Sequence, residues 1–300
     1  MNNFFHSIWR IISAPFRGLW WFIPQIFKII TYPIKGLQNY FTDTSQSTSQ
    51  PLGEALGTVV KQPSTLISHL DALRKHILRS ALVVILLSLF AFYFIKPIME
   101  FLTQPLPGGF ESLTAIDITE NIGSVMKVAL LCGFTLAIPY IAFEAYLFYA
   151  PALNPSSRLI TLLFIPLALI LFLGGMAFAY YIMLPIALPF LFNFMGLTTQ
   201  PRPSSFFSFI TAILFWLGIF FEFPLIASLL ARIGILRSET LRAQWRIAII
   251  IMAILAATIT PTVDPINMGL VMGPMIILYL VSIVFTGIAQ KKRRQINPLQ

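Results

Sequence analysis

The chain has 300 residues, of which 57% are hydrophobic and 10% are charged, with a formal net charge of +9 at pH 7. Soluble domains carry about 25% charged residues, so this composition excludes a soluble domain and indicates a polytopic membrane protein. The single cysteine, Cys132, lies in an apolar segment, which excludes a disulfide framework and a cysteine metal site.

Residues 1–62 differ from the rest of the chain because they contain a repeat. Residues 8–19 read IWRIISAPFRGL, and residues 26–37 read IFKIITYPIKGL. The period of about five helical turns gives both copies the same face, and basic residues among aromatic ones are typical of interfacial helices. We predict an amphipathic, membrane-interfacial extension with a polar linker at 42–50. A cleaved signal peptide is the less favoured alternative, because Arg10 and Arg17 interrupt the apolar run.

Six charge-poor intervals predict six transmembrane helices. In chain order they are residues 80–95, 128–149, 159–184, 206–231, 247–259 and 268–288. The fifth would rise only about 20 Å as a helix, which is less than the ~30 Å of a hydrocarbon core. We therefore predict short fifth and sixth helices that form a shallow hairpin where the bilayer thins or a polar cavity opens.

Basic residues concentrate on one side of these spans and predict the orientation of the chain. The other side has only Lys96, Lys127 and Arg202. The basic side, which includes residues 291–300 as a tail, carries Arg74, Lys75, Arg79, Arg158, Arg232, Arg237, Arg242, Arg246, Lys291, Lys292, Arg293 and Arg294. The positive-inside rule places both termini in the cytosol. The same rule explains the positive net charge, so nucleic acid is not predicted as a partner.

Glu222 is the only charged residue in the apolar run 206–231. A carboxylate at this depth is costly, which favours a functional role, and Pro224 predicts a kink beside it because proline lacks the backbone N–H donor. The alternative is a glutamate hydrogen-bonded within the bundle for structure alone. This alternative is disfavoured because burying a carboxylate merely to join helices is expensive.

Residues that would support enzymatic chemistry are not found in the predicted spans. The three histidines, His6, His69 and His76, lie outside them. His69, Asp71 and His76 could form a metal site, but we favour the interpretation that they are ordinary polar surface residues before a membrane helix. The sequence contains no phosphate-binding loop motif. We predict no catalytic residues, no metal and no cofactor.

Several motifs resemble the TatC family, the large subunit of the twin-arginine protein translocase, and they occur in the family's order. They cover about residues 64–290, which we interpret as the membrane domain 63–290. The motifs are HLDALR at 69–74, APAL at 150–153, GMAFAY at 175–180 followed by Pro185, FEFP at 221–224, and TP at 260–261 with DP at 264–265.

The resemblance implies an all-α receptor with six transmembrane helices in a concave bundle, located in the cytoplasmic (inner) membrane of the cell. Such a receptor binds twin-arginine signal peptides and recruits small single-span subunits of the TatA and TatB type. The assembly, a hetero-oligomer that includes several copies of the receptor, exports folded proteins with the proton-motive force. The implied partner-helix residues are Glu222, Pro224, Thr260, Pro261 and Asp264.

The implied signal-peptide site departs from the family's pattern. Its residues are His69, Leu70, Asp71, Ala72, Arg74, Pro151, Ser157 and Arg158. Ala72 and Ser157 stand where the family has two glutamates that bind the arginine pair. Asp71 does not simply replace the glutamate missing at position 72, because side chains of consecutive residues point about 100° apart around a helix. Glu144 either binds the signal peptide in compensation for the two missing glutamates or has a structural role only.

Two functions therefore stay open. The first is a translocase receptor with an altered signal-peptide pocket. The second is a paralogue that keeps the scaffold and the partner-helix site but serves as an assembly component.

Overall fold

The computed structural model describes residues 63–150, 153, 158, 161–192, 201–260 and 265–296, and its described part is helical without strands. The N-terminal extension lies outside these residues, so its repeat, its linker and the boundary at residue 62 stay predictions. The α-helices are α1 (Pro63–Ala91), α2 (Ile95–Leu102), α3 (Ile118–Tyr149), α4 (Phe164–Phe178), α5 (Leu184–Phe192), α6 (Pro203–Ile233), α7 (Ser238–Ala243), α8 (Trp245–Ile259) and α9 (Pro265–Ile296). A π-helical turn, Ala179–Met183, joins α4 to α5.

Five apolar helical segments of the described chain are long enough to cross a membrane, and a sixth is shorter. The five are Leu70–Leu102, Ile118–Tyr149, Phe164–Phe192, Pro203–Ile233 and Asn267–Lys291. The sixth, α8, has 15 residues and rises about 22 Å. The polytopic all-α architecture and the short fifth span are thus confirmed.

The prediction of a short sixth span is wrong, because α9 has 32 residues. The prediction ended this span where charged residues begin, but the helix continues through the basic residues 291–294 to Ile296. Long basic side chains can lie along a helix and place their charged ends in the interface, so a charge does not end a helix. The first span shows the same effect, since α1 begins at Pro63 and includes Arg74 and Arg79.

Helix α6 lies at the centre of the bundle and packs against α3, α4, α8 and α9. Its ends follow from local sequence. Pro203 occupies the first turn, where a missing N–H is tolerated, and Gly234 ends the helix in the left-handed conformation with φ +96°. The Gly234 N–H donates to the Leu230 carbonyl at 3.0 Å. Between these ends, Phe207, Ile210 and Leu214 are buried in the main apolar core.

Glycines allow close backbone contact at two helix crossings. A Cβ on Gly133 of α3 would collide with the backbone of Ser88 in α1. A Cβ on Gly175 of α4 would lie 2.7 Å from the Leu217 carbonyl oxygen of α6, and one on Gly218 would lie 2.6 Å from the Phe172 ring. Small residues at such crossings let membrane helices pack without a gap.

Candidate functional site

Glu222 lines a cavity of about 190 Å³ between α3, α4 and α6. The other lining residues are apolar apart from the Tyr149 hydroxyl, and they are Ile138, Ile141, Ala142, Ala145, Phe164, Ile165, Ala168, Leu225, Ile226 and Leu229. Glu222 therefore faces a hollow instead of a packed helix surface. We call this hollow the Glu222 cavity.

The Glu222 carboxyl is incompletely satisfied. Its Oε1 atom is buried and has no hydrogen-bond partner among the described residues. Leaving a buried polar atom without a partner costs about 1–3 kcal/mol. A hydrogen-bond donor that entered the cavity would remove this cost, so the arrangement suits a ligand that carries a donor.

The other predicted partner-helix residues lie elsewhere or outside the described chain. Pro224 is buried in α6, which continues through it without ending. Thr260, at the end of α8, is buried, and its hydroxyl donates to the Ala256 carbonyl at 3.0 Å. Thr260 does not line the Glu222 cavity. Pro261 and Asp264 lie outside the described residues, so their roles stay predictions.

The predicted signal-peptide residues of α1 are mostly exposed. Leu70, Asp71 and Arg74 are exposed, and Ala72 is half-buried. Asp71 forms an ion pair with Lys75 one helical turn later, at 2.7 Å. Exposed pairs of this kind contribute at most about 1 kcal/mol, so a guanidinium could displace Lys75 at little cost. The side chain of His69 lies outside the described part.

Of the predicted residues Pro151, Ser157 and Arg158, only Arg158 is described by the structure. Its backbone carbonyl accepts a hydrogen bond from the Tyr146 hydroxyl of α3 at 3.4 Å. This contact places Arg158 beside the C-terminal end of α3. Its Nε atom is buried without a partner among the described residues. Pro151 and Ser157 are outside those residues.

Glu144 of α3 is the centre of a buried polar cluster. Only 1% of its side chain is exposed, and it contacts side chains from two helices. The Tyr140 hydroxyl donates to Oε1 at 2.6 Å, and His76 Nδ1 of α1 contacts Oε2. The Arg79 guanidinium lies 3.9 Å from the same oxygen. We call these four residues the Glu144 cluster, and their contacts favour the structural alternative for Glu144.

The interpretation of His76 as surface polarity is wrong. His76 lies within α1, its side chain is 19% exposed, and it also meets the Phe148 ring edge to face at 6.0 Å. The sequence held a signal that could have revealed this: Glu144 interrupts an apolar span and needs a polar partner on a neighbouring helix. Among the described residues, no group of three or more His, Cys, Asp or Glu side chains could hold a metal ion.

Comparison with known proteins gives a consistent result. The family model described as "Sec-independent protein translocase protein (TatC)" matches residues 68–274. The TatC protein of Carboxydothermus hydrogenoformans is 34% identical over 233 residues, which are 77% of this chain and 96% of that protein. The TatCd protein of Bacillus subtilis is 31% identical and covers 78% and 96%. A crystal structure of the twin-arginine translocase receptor TatC superposes with a TM-score of 0.66 at 30% identity, covering 74% of this chain and 99% of that one.

Proposed function

This chain belongs to the TatC family of Sec-independent protein translocase subunits. From that premise we propose a separate binding role for each of its two candidate sites. The protein is a multi-pass membrane receptor subunit of a twin-arginine translocase. We propose that the Glu222 cavity holds a helix of a small single-span partner of the TatA or TatB type. The exposed N-terminal part of α1, together with Arg158, receives the signal peptide.

The single observation that supports the partner-helix site is the unpartnered Glu222 Oε1 atom in an otherwise apolar cavity. A transmembrane helix with one polar side chain matches both properties, because its apolar surface fits the walls and its polar group can donate to Oε1. Within a bilayer no water competes for this bond. The driving force for export, on this proposal, comes from the proton-motive force.

Site-specific photocrosslinking tests the partner-helix site. A photoreactive residue at Leu225 or Ile226, which line the Glu222 cavity, is expected to capture the single-span partner. The matched control is Leu280 of α9, which is 56% exposed and does not line the cavity. Equal capture from Leu280 and from Ile226 would count against a specific site.

The signal-peptide site rests on exposure and charge. Leu70, Asp71 and Arg74 present an apolar, an acidic and a basic group on the surface of α1. A photoreactive residue at Ala72 is expected to crosslink to a precursor with an intact arginine pair, and not to one in which both arginines are lysines, because lysine cannot make the bidentate contact.

The second candidate function, an assembly component without signal recognition, is favoured by the absence of glutamates at positions 72 and 157. Ala72→Glu combined with Ser157→Glu separates the two functions. A receptor with a weakened pocket is expected to bind a twin-arginine peptide more tightly by about 1–3 kcal/mol, measured by titration in nanodiscs. No gain, with partner capture unchanged, favours the assembly component.

The proposed orientation has both termini in the cytosol of the cytoplasmic membrane. Ser112→Cys should then react with a membrane-impermeant reagent from outside, whereas Ser238→Cys should not. Both positions lie in described segments between the spans. Outside labelling of Ser238→Cys would overturn the proposed orientation.

A further inference from the structure

A second cavity, of about 360 Å³, lies between α1, α3 and α6 and holds a single charged residue, Lys127. We call it the Lys127 groove. Its lining includes Val84 of α1, Leu130 and Phe134 of α3, and Ala212 and Phe215 of α6. The groove is distinct from the Glu222 cavity, since the two share no lining residue.

Lys127 has no acidic partner among the described residues. Its Nζ atom donates to the Ser208 hydroxyl at 2.6 Å, and the Ser208 hydroxyl in turn donates to the Ser204 carbonyl. The nearest acid along α3, Glu120, is already paired with Arg202 at 2.6 Å. An ammonium group has three donors, so Lys127 keeps capacity for a further acceptor.

The position of Lys127 along its helix makes a missing counter-ion costly. Lys127 lies in the span Ile118–Tyr149, about 14 Å along the helix from Ile118. A lysine at this depth extends its charged end toward the headgroup region, where anionic groups are found. The Lys127 side chain is exposed to the surroundings of the protein, so such a group can reach it.

The rest of the groove is suited to a hydrocarbon chain. From Lys127 the lining runs about 10 Å deeper along α3 to Phe134. There the Phe134 and Phe215 rings meet edge to face with centroids 5.0 Å apart. The remaining polar lining group, Thr211, donates its hydroxyl to the Phe207 carbonyl at 2.5 Å, so it presents no free donor.

We propose that the Lys127 groove binds one anionic phospholipid. Its phosphate pairs with the Lys127 ammonium, and one acyl chain lies in the groove as far as Phe134 and Phe215. The charge of Lys127, unpaired among the described residues, favours a headgroup with net negative charge over a zwitterionic one. The occupant is a lipid and not a free phosphate, because the apolar lining contributes only if a hydrocarbon chain is present.

Native mass spectrometry of the full chain tests the proposal. The protein is purified from vesicles of equal parts phosphatidylglycerol and phosphatidylcholine, and the lipids retained per molecule are counted. The wild type is expected to retain phosphatidylglycerol preferentially. Lys127→Leu should lower its retention about five-fold, since one lysine near a membrane surface contributes about that factor, and Lys127→Arg should restore it.

Lys96→Leu is the matched control, because Lys96 is exposed in α2 but does not line the groove. Equal retention by Lys127→Leu and the wild type, or an equal loss in Lys96→Leu, would overturn the proposal. Displacement of the lipid by inorganic phosphate alone would do the same.

A phosphatidylglycerol with a photoactivatable acyl chain gives a second, independent measurement on the unaltered protein. Labelling is expected in the segments 127–134 and 208–215 and around Val84. Ala212→Phe, which fills the groove and leaves Lys127 in place, should remove this labelling while the melting temperature stays within a few degrees. Labelling outside these segments, or occupation of the groove by a partner protein, contradicts the proposal.

Discussion

Glu144 and Glu222 are two carboxyl groups within membrane-spanning helices, and the regions around them have opposite character. Glu144 is fully buried and contacts His76, Arg79 and Tyr140. Glu222 faces a cavity, and its Oε1 atom has no partner among the described residues. The first region is complete without a ligand, whereas the second is not.

The difference shows that depth in the membrane does not by itself assign a function to an acid. A buried charge that is paired and hydrogen-bonded contributes to the arrangement of the helices, and removing one partner leaves the others uncompensated. A buried polar atom without a partner is a cost that a binding event can remove. Substitution should therefore lower stability at Glu144 and weaken partner binding at Glu222.

The largest expected effect is on stability, at Glu144. Glu144→Ala leaves His76 and Arg79 without their carboxylate and should destabilise the fold by about 3–5 kcal/mol. The measurement is the unfolding midpoint in detergent, together with the amount of protein in the membrane.

Glu144→Gln is the control for this experiment, because the amide keeps an acceptor for Tyr140 while losing the charge. It should be milder than alanine. A stable Glu144→Ala protein with poor signal-peptide binding would instead assign Glu144 as the compensating ligand.

An intermediate effect is expected on partner binding, at Glu222. Glu222→Ala should leave the unfolding midpoint unchanged or slightly raised, since it removes the unpartnered oxygen and alanine is a good helix former. Capture of the single-span partner should weaken by about 1–2 kcal/mol, the contribution of a hydrogen bond between membrane helices. Pull-down from membranes measures this.

Glu222→Gln keeps a hydrogen-bonding group and should weaken capture less than alanine does. If both substitutions lowered stability and left capture per folded molecule unchanged, Glu222 would resemble Glu144, and the contrast between the two regions would disappear.

The smallest effect is expected at Tyr140. Tyr140→Phe removes one donor to Glu144 and leaves the His76 contact in place. A loss of about 1 kcal/mol in unfolding free energy is expected, because a single hydrogen bond contributes about that amount. If Tyr140→Phe lowered the free energy of unfolding as much as Glu144→Ala does, the other contacts of the Glu144 cluster would depend on the Tyr140 hydrogen bond.

The sequence is sufficient to locate the membrane spans and to place Glu222 within one of them. Apolar runs report burial in lipid directly, and a single charge within such a run, as at Glu222, is visible without knowledge of the neighbouring helices. Helix ends were less predictable. A charge-free interval predicts where a span ends, but α1 and α9 continue through charged residues, because the backbone hydrogen bonds of a helix do not require apolar side chains.

The Glu144 cluster could not be derived from the sequence in the same way. His76 and Glu144 are 68 residues apart, and their contact depends on how α1 and α3 cross. The close approach of Gly133 to Ser88 sets that crossing, yet a glycine within a helix does not reveal its neighbour. The Lys127 groove was missed for a similar reason, since it needs three helices placed together.

The glycine crossings have a consequence for the energetics of recognition. Gly133 packs α3 closely against α1, two walls of the Lys127 groove, and Gly175 with Gly218 packs α4 closely against α6, two walls of the Glu222 cavity. An incoming helix or lipid loses its own freedom of motion, but the walls do not have to be separated to admit it. The receptor is preorganised, and the free energy gained at Glu222 or Lys127 goes into holding the ligand instead of opening the protein.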